Sequence, residues 1–575
     1  MATLPGSTSR VLNRLEQLKT SFTPATTHER FKLISRLVRT SRSAPLRSPQ
    51  QLEDYHDILS FFRAYPDSIA IFALVERELR RFSDRIDSYR SASRDKKAAK
   101  LEDTGIVNTS VSNAFSYEMA CYLAQHYPSL VEIDWDAIEE SGVDNISGIL
   151  GQLVSWQEND TLDNDDLLET KDWLMIGRHG KNRSGLQALL ALLNNPRIPY
   201  SLRKHLYESA EIPVRWSLTD CKGSRTLLRL KSLRTFFQTE PILPRTRSLR
   251  ADLSKAAVPL RKISSREGAI YVRTIREVLA SRVRELYPLT NANLDEVYIV
   301  DPGRGMQIVI FGTLPRFRLP LEANFGALLV RNGIPIGYGV AAVLFERVEI
   351  AINIFPAFRN GESSFAIEHF FRLFHHHFGA NLFLVRSYQV GEDNEEALES
   401  GSFWFYYKLG FRPVKPTVRA LAEREAQKVA TVPGYRSSMR TLKRLAKSDV
   451  YFHVDESKMQ GFSELSIINL GLAVTRLAAR RFAGSRPRME SESERQLLRL
   501  LGSPSLFRWT GDERTALSHL SPLLVSIPSL KRWSRPEKRQ LVNIIRAKGS
   551  VSERKFVTLS QRHSRLAEAL RTLAK

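Results

Sequence analysis

The stretch from Val297 to Val385 constrains the fold more than any other, because the hydrophobic period changes there from helical to alternating. Short β-type runs carry Val297, Ile299, Ile308, Ile310, Leu328 and Val330. Arg331-Asn332-Gly333 interrupts two of these runs, and Asn-Gly favours a hairpin because both turn positions accept positive φ. From Val348 to Phe355 the alternation is strict. Val348, Ile350, Ile352 and Ile354 face one way, while Glu349, Ala351 and Asn353 face the other. Pro356 ends that strand. Ser364 to Phe378 then predicts a helix with Phe365, Ile367, Phe370, Phe371 and Phe374 on its apolar side and Gly379 as its stop. Leu382 to Val385 predicts another strand, followed by a second helix to about Leu409.

Both flanks read as helical. Leu52, Tyr55, Ile58, Leu59 and Phe62 recur at helical spacing, and after Pro66 the period resumes with Ile69, Phe72, Val75, Leu79, Phe82 and Ile86. Residues 91–112 are polar and predict an exposed connection, and helical patterns return near 116–127 and 186–193. The Pro- and Arg-rich run from Pro241 to Arg250 marks a candidate boundary. Beyond Pro416 the pattern is helical to the end, with Ser534-Arg535-Pro536 opening one helix and Gly549 closing it. The fold class is therefore α+β. A mixed-sheet core over 265–420 stands between a mainly helical region, 1–250, and a basic helical region, 421–575.

The charge narrows the function. A net charge of +23 excludes an acidic solvating protein and favours anionic partners. It is segregated: residues 101–200 carry 5 basic and 16 acidic side chains, whereas 401–575 carry 34 and 14. No apolar run reaches the roughly 18 residues of a membrane span. Met1 to Arg10 lack the apolar core of a signal peptide, so a cytoplasmic location is expected. Cys121 and Cys221 read as two reduced thiols rather than a disulfide framework.

The order hairpin, strand, tight loop, helix, strand, helix, Gly-Phe resembles the GNAT-type acyl-CoA N-acyltransferase superfamily. The likeness covers Phe325 to Pro413 and is sharpest at Phe405-Tyr406-Tyr407-Lys408-Leu409-Gly410-Phe411, which looks like the family's Y-x-x-x-G-F signature. Asn394 and Ala397 are similar to the Asn and Ala that precede it. The resemblance implies acyl transfer from an acyl-CoA to an unidentified amine, with no metal and with Tyr406 protonating the departing thiolate. Glu349, on the polar strand face, is the candidate base. The phosphate loop would fall at Phe358, Arg359, Asn360, Gly361, Glu362, Ser363 and Ser364, where backbone N–H groups and the helix dipole can hold a pyrophosphate. It departs from the family's pattern: Phe358 stands where Gln or Arg is usual, Ser363 replaces the last small residue, and Glu362 brings a negative charge to an anion site. An ordinary strand-to-helix turn reads the same residues equally well.

The alternative function is a GNAT-like protein without catalysis that binds nucleic acid or another anion through its basic helices. Arg480, Arg481, Arg486, Arg488, Lys531, Arg532, Lys538 and Arg539, with Trp509 and Trp533, are its candidate contacts. Their other reading is a set of solvated helix faces. His375-His376-His377 cannot aim three rings at one ion from a single helix, because successive residues point about 100° apart. Glu392 to Glu396 reads as a helix start, where carboxylates favour the dipole.

Overall fold

The computed structural model describes the chain apart from residues 1–5, 44–45, 47, 94–98, 163–167, 178–183, 232–233, 244–247, 460–461 and 463. Part of the candidate boundary, Pro244 to Arg247, lies outside the described residues.

Five helices open the chain: Gly6–Leu18, Pro24–Ser43, Pro49–Ala64, Ile69–Arg80 and Phe82–Ala92. Ser48 caps the third by accepting the Gln51 N–H, with Pro49 in its first turn. The next region is not helical alone. Strands β1 (Ser110–Asn113), β2 (Val131–Ile133) and β3 (Val214–Ser217) form an antiparallel sheet in the order β1-β3-β2. Such short strands show too few alternations to stand out from a helical background. They build a separate core around Trp216, which is fully buried.

The main sheet comprises β4 (Leu260–Lys262), β5 (Ala292–Gly303), β6 (Met306–Thr313), β7 (Ala323–Arg331), β8 (Ile334–Leu344), β9 (Arg347–Ile354), β10 (Leu382–Val385), β11 (Arg412–Pro413) and β12 (Val450–His453). Their order is β11-β12-β10-β9-β8-β7-β6-β5-β4. The Asn-Gly turn pins β7 to β8: Asn332 and Gly333 have φ of 49° and 79°. Among the described residues, all pairings in this sheet are antiparallel except one. β9 and β10 run parallel over Arg347–Glu349 and Leu382–Leu384, and there their ladder ends. β12 returns antiparallel between β10 and β11.

The predicted helix is observed at Ser363–Phe378, ending on Gly379 at φ 63°. It covers the Ile352 side of the sheet. Phe370 packs on Gly339, where a Cβ would stand 2.9 Å from the ring. Phe378 meets Phe325 at 4.8 Å and Phe371 meets Phe383 at 5.1 Å. Phe411 joins this layer to Phe452 of β12 at 5.6 Å. A continuous apolar core runs from the first helices through the sheet to the last helices.

Two expectations change. The sheet reaches from Leu260 to His453, beyond the expected 265–420, because β12 follows a helical insertion that hides it in the sequence pattern. The second helix to Leu409 is three short ones, Ser387–Val390, Glu395–Glu399 and Ser402–Lys408. Gly391 at φ 126° and Gly401 at φ 69° break it. Among the described residues, no helix is long and apolar enough to cross a membrane.

Candidate functional site

The turn after β9 is closed from inside the protein. Pro356–Phe358 forms a single 3₁₀ turn with Phe358 buried. Arg359 donates to the Ile354 carbonyl at 3.1 Å and pairs with Glu396. The Asn360 amide reaches Glu16 at 3.1 Å. Gly361 lies against Tyr65 from the third helix, and a Cβ on Gly361 would stand 2.6 Å from that ring. Burial raises the Tyr65 phenol to about 12.

Glu362 is fully buried beneath two arginines. Arg304 reaches both its oxygens at 3.1 Å through Nε, and Arg331 Nη1 lies 3.0 Å away. Arg331 is itself buried, stacked on Tyr65 at 4.8 Å. The charge that looked misplaced beside a phosphate is therefore spent within the fold. The Ser363 hydroxyl donates to the Arg359 carbonyl at 3.2 Å, and Ser364 is half-buried.

The remaining predicted residues do not converge on the loop. Tyr406, 4% exposed, packs edge-on against Phe405 and Phe411. Among the described residues its hydroxyl has no hydrogen-bond partner, and burial pushes its pKa up. Glu349 is held by Arg386 at 2.6 Å, which also binds Asp449 and Glu464 at 2.9 Å. Asn394 spends its side chain capping the helix after it, accepting from Ala397 N at 3.1 Å and donating to the Tyr388 carbonyl at 3.1 Å. The acidic run thus begins a helix, as its sequence implies. The three histidines diverge onto the separate carbonyls of Ala380, Lys255 and Val258.

The β9–β10 pairing ends at Glu349 and Leu384, and a polar chain ties the turn after β9 to β8. Glu396 joins Arg359 to Arg284 at 3.0 Å, and Arg284 donates to the Tyr338 hydroxyl at 2.9 Å.

The insertion between β11 and β12 is an electropositive feature. Helices Pro416–Thr431 and Met439–Leu445 form a hairpin there. Buried Glu425 ties its turn together by accepting from Lys428 and Tyr435 at 2.8 Å and from Ser437 at 3.0 Å. Lys415, Arg424, Arg436, Arg440, Lys443, Arg444 and Lys447 are all exposed, and among the described residues none has a carboxylate partner. Sequence reasoning spread the charge over 401–575 and missed this cluster. The signal was countable: residues 414–449 hold nine basic and three acidic side chains.

Further along, Arg480, Arg481, Arg486, Arg488, Lys531, Arg532 and Arg539 are exposed and Lys538 is half-buried. Arg488 pairs with Glu492 at 2.7 Å. The expected stacking aromatics are spent on packing. Trp509 and Trp533 are buried, the latter 5.0 Å from His563.

No family model, curated protein or solved structure matches this chain.

Proposed function

We propose that this chain is a nucleic-acid-binding protein built on a GNAT-like core whose acyl-CoA loop has become an internal joint. The GNAT-like reading draws support from the parallel pairing of β9 and β10 and from the return strand inserted beside it. Against acyl transfer stand Tyr65 over Gly361, the buried Glu362, and a Tyr406 and Glu349 that share no hydrogen bond. The observation that carries the binding reading is the hairpin, seven exposed cations that have no carboxylate partner among the described residues, on a frame braced by Glu425. Phosphates are the partners such a surface suits, since each neutralised phosphate releases counterions.

Mobility shifts of single-stranded RNA and duplex DNA over a series of salt concentrations test this. Wild-type affinity should fall linearly with salt on logarithmic axes. The triple variant Arg440→Gln, Lys443→Gln, Arg444→Gln should flatten the slope by about 2–3, at roughly 0.7–0.9 per lost phosphate contact. An unchanged slope and affinity in that variant would remove the hairpin from the interface.

The end of the β9–β10 pairing at Glu349 and Leu384 favours a second reading, acyl transfer from acyl-CoA to an amine. It requires Tyr65 and Glu362 to leave the loop before a pyrophosphate enters. Calorimetric titration with acetyl-CoA and a longer acyl-CoA separates the two. The first reading expects no heat of binding from either, and micromolar binding of one of them would reverse the order of the readings.

A further inference from the structure

A cavity of about 300 Å³ lies where the Pro49–Ala64 helix meets the turn after β9. Arginines 63, 225, 282 and 284 line it, and Leu228, Ile334, Phe355 and Phe358 form an apolar wall. Three of the arginines are neutralised. Arg63 pairs with Glu76 at 2.6 Å, Arg225 with Asp57, and Arg284 with Glu396 at 3.0 Å.

Arg282 is different. Among the described residues its guanidinium makes one hydrogen bond, from Nη1 to the Val278 carbonyl at 3.0 Å, and no ion pair. It stacks on Phe355 at 4.0 Å, which fixes its plane at the cavity wall. Burial and the nearby charges of Arg225 and Arg284 lower its pKa to about 9, despite Asp57.

The carboxylates around the cavity are committed elsewhere. Asp57 serves Arg225 and His56, Glu102 serves Arg90 and Ser110, and Asp103 accepts from Ser112 N at 2.8 Å. Only Glu53 is loosely held, 3.6 Å from Arg225. Beside the lining residue Thr104 the backbone is closely packed. Gly105, at φ 72°, sits so near the backbone of Ser281 that a Cβ would lie 1.9 Å from its oxygen.

We propose that this cavity binds a small phosphate monoester, with its phosphate on Arg282 between Arg225 and Arg284 and its organic part against Phe355, Leu228 and Ile334. Arg282 is half-buried and, among the described residues, has no ion-pair partner, so an anionic ligand meets a cation that the fold has not already neutralised. Guanidinium planes match phosphate oxygens in paired hydrogen bonds. A phosphate carries about −1.5 to −2 charges where a carboxylate carries one, which better suits a cation flanked by two more. The volume exceeds what inorganic phosphate fills, so the apolar wall selects an ester.

The test is calorimetric titration of the full chain with phenyl phosphate, inorganic phosphate and benzoate. Wild-type protein should bind phenyl phosphate saturably and at least ~tenfold more tightly than the other two, the ratio expected from one further good contact. Arg282→Met should weaken phenyl phosphate binding by a similar factor. Phenyl phosphate should raise the melting temperature of wild type and leave that of Arg282→Met unchanged. Arg282→Gln repeats the comparison if the methionine variant fails to fold. Arg440→Gln, on the distant hairpin, should leave phenyl phosphate binding unchanged. Absence of binding to wild type, equal binding by the Arg282 variants, or benzoate matching phenyl phosphate would each overturn the proposal. None of these outcomes bears on the hairpin, whose reading rests on other residues.

Discussion

Glu362→Ala should lower the unfolding free energy by about 3–5 kcal/mol, the cost typical of removing one partner from a buried ion pair. The reason lies in what remains. Arg331 has no exposed surface, so its guanidinium cannot turn to water when the carboxylate goes, whereas Arg304, 18% exposed at its side chain, keeps Glu240 at 3.7 Å. The Leu243 N–H, 3.4 Å from the same carboxylate, also loses its acceptor. Glu362→Gln keeps an acceptor while deleting the charge and should cost less, about 1–3 kcal/mol. Pairing Glu362→Ala with Arg331→Met should recover part of the loss, because deleting both members of a buried pair is far milder than orphaning one. Denaturant unfolding of wild type, Glu362→Ala, Arg331→Met and the double variant measures this coupling. A loss below about 1 kcal/mol for Glu362→Ala would mean that the pair is solvated and the joint is loose. Hydrogen exchange gives a functional readout of the same question. A loop that opens for a cofactor exchanges its amides from Gly361 to Ala366 quickly, whereas a closed joint protects them nearly as well as the sheet.

What the sequence shows and what it hides divide by contact distance along the chain. Asn332-Gly333, Pro356, Gly379 and the Ser534 cap are local devices, and each stands where the pattern places it. The capping box at Ser534 needs only Glu537, three residues on. The loop after β9 is equally visible as a position. Its contents are not, because Tyr65 comes from a helix almost three hundred residues earlier and Arg331 and Arg304 come from the sheet. Glu362 reads in isolation as a charge in the wrong place. Beneath two arginines it is the reason the turn holds. The short strands β1, β2 and β11 fail for another reason, since two to four residues give too little alternation to separate from helix. Tyr406 matches its motif in position, and the structure packs its ring edge-on against Phe405 and Phe411.

Glu296→Ala should be as costly, about 3–5 kcal/mol, and should release the last helices from the sheet. Glu296 points from β5 toward the Glu553–Gln561 helix and caps it from across the chain. It accepts from Glu553 N at 2.8 Å, Arg554 N at 3.0 Å and the Ser552 hydroxyl at 2.9 Å. Those N–H groups have no acceptor within their own helix, so this carboxylate does the work of an N-cap side chain. Arg318 completes the joint. It lies 3.4 Å from Glu296 and donates to the carbonyls of Lys548 at 2.8 Å and Val551 at 3.0 Å. Space for the carboxylate comes from Gly312 on β6, where a Cβ would stand 2.2 Å from Glu296 Oε2. Gly312→Ala should therefore push the carboxylate off its helix at a cost of about 1–3 kcal/mol, through overpacking rather than lost charge. Limited proteolysis separates the two effects. Glu296→Ala should expose the 551–575 segment to cleavage while the sheet stays intact, and Gly312→Ala should show the same cut more slowly. If Glu296→Ala resists proteolysis as wild type does, the C-terminal helices are held by their apolar contacts alone, and the carboxylate only fills its niche.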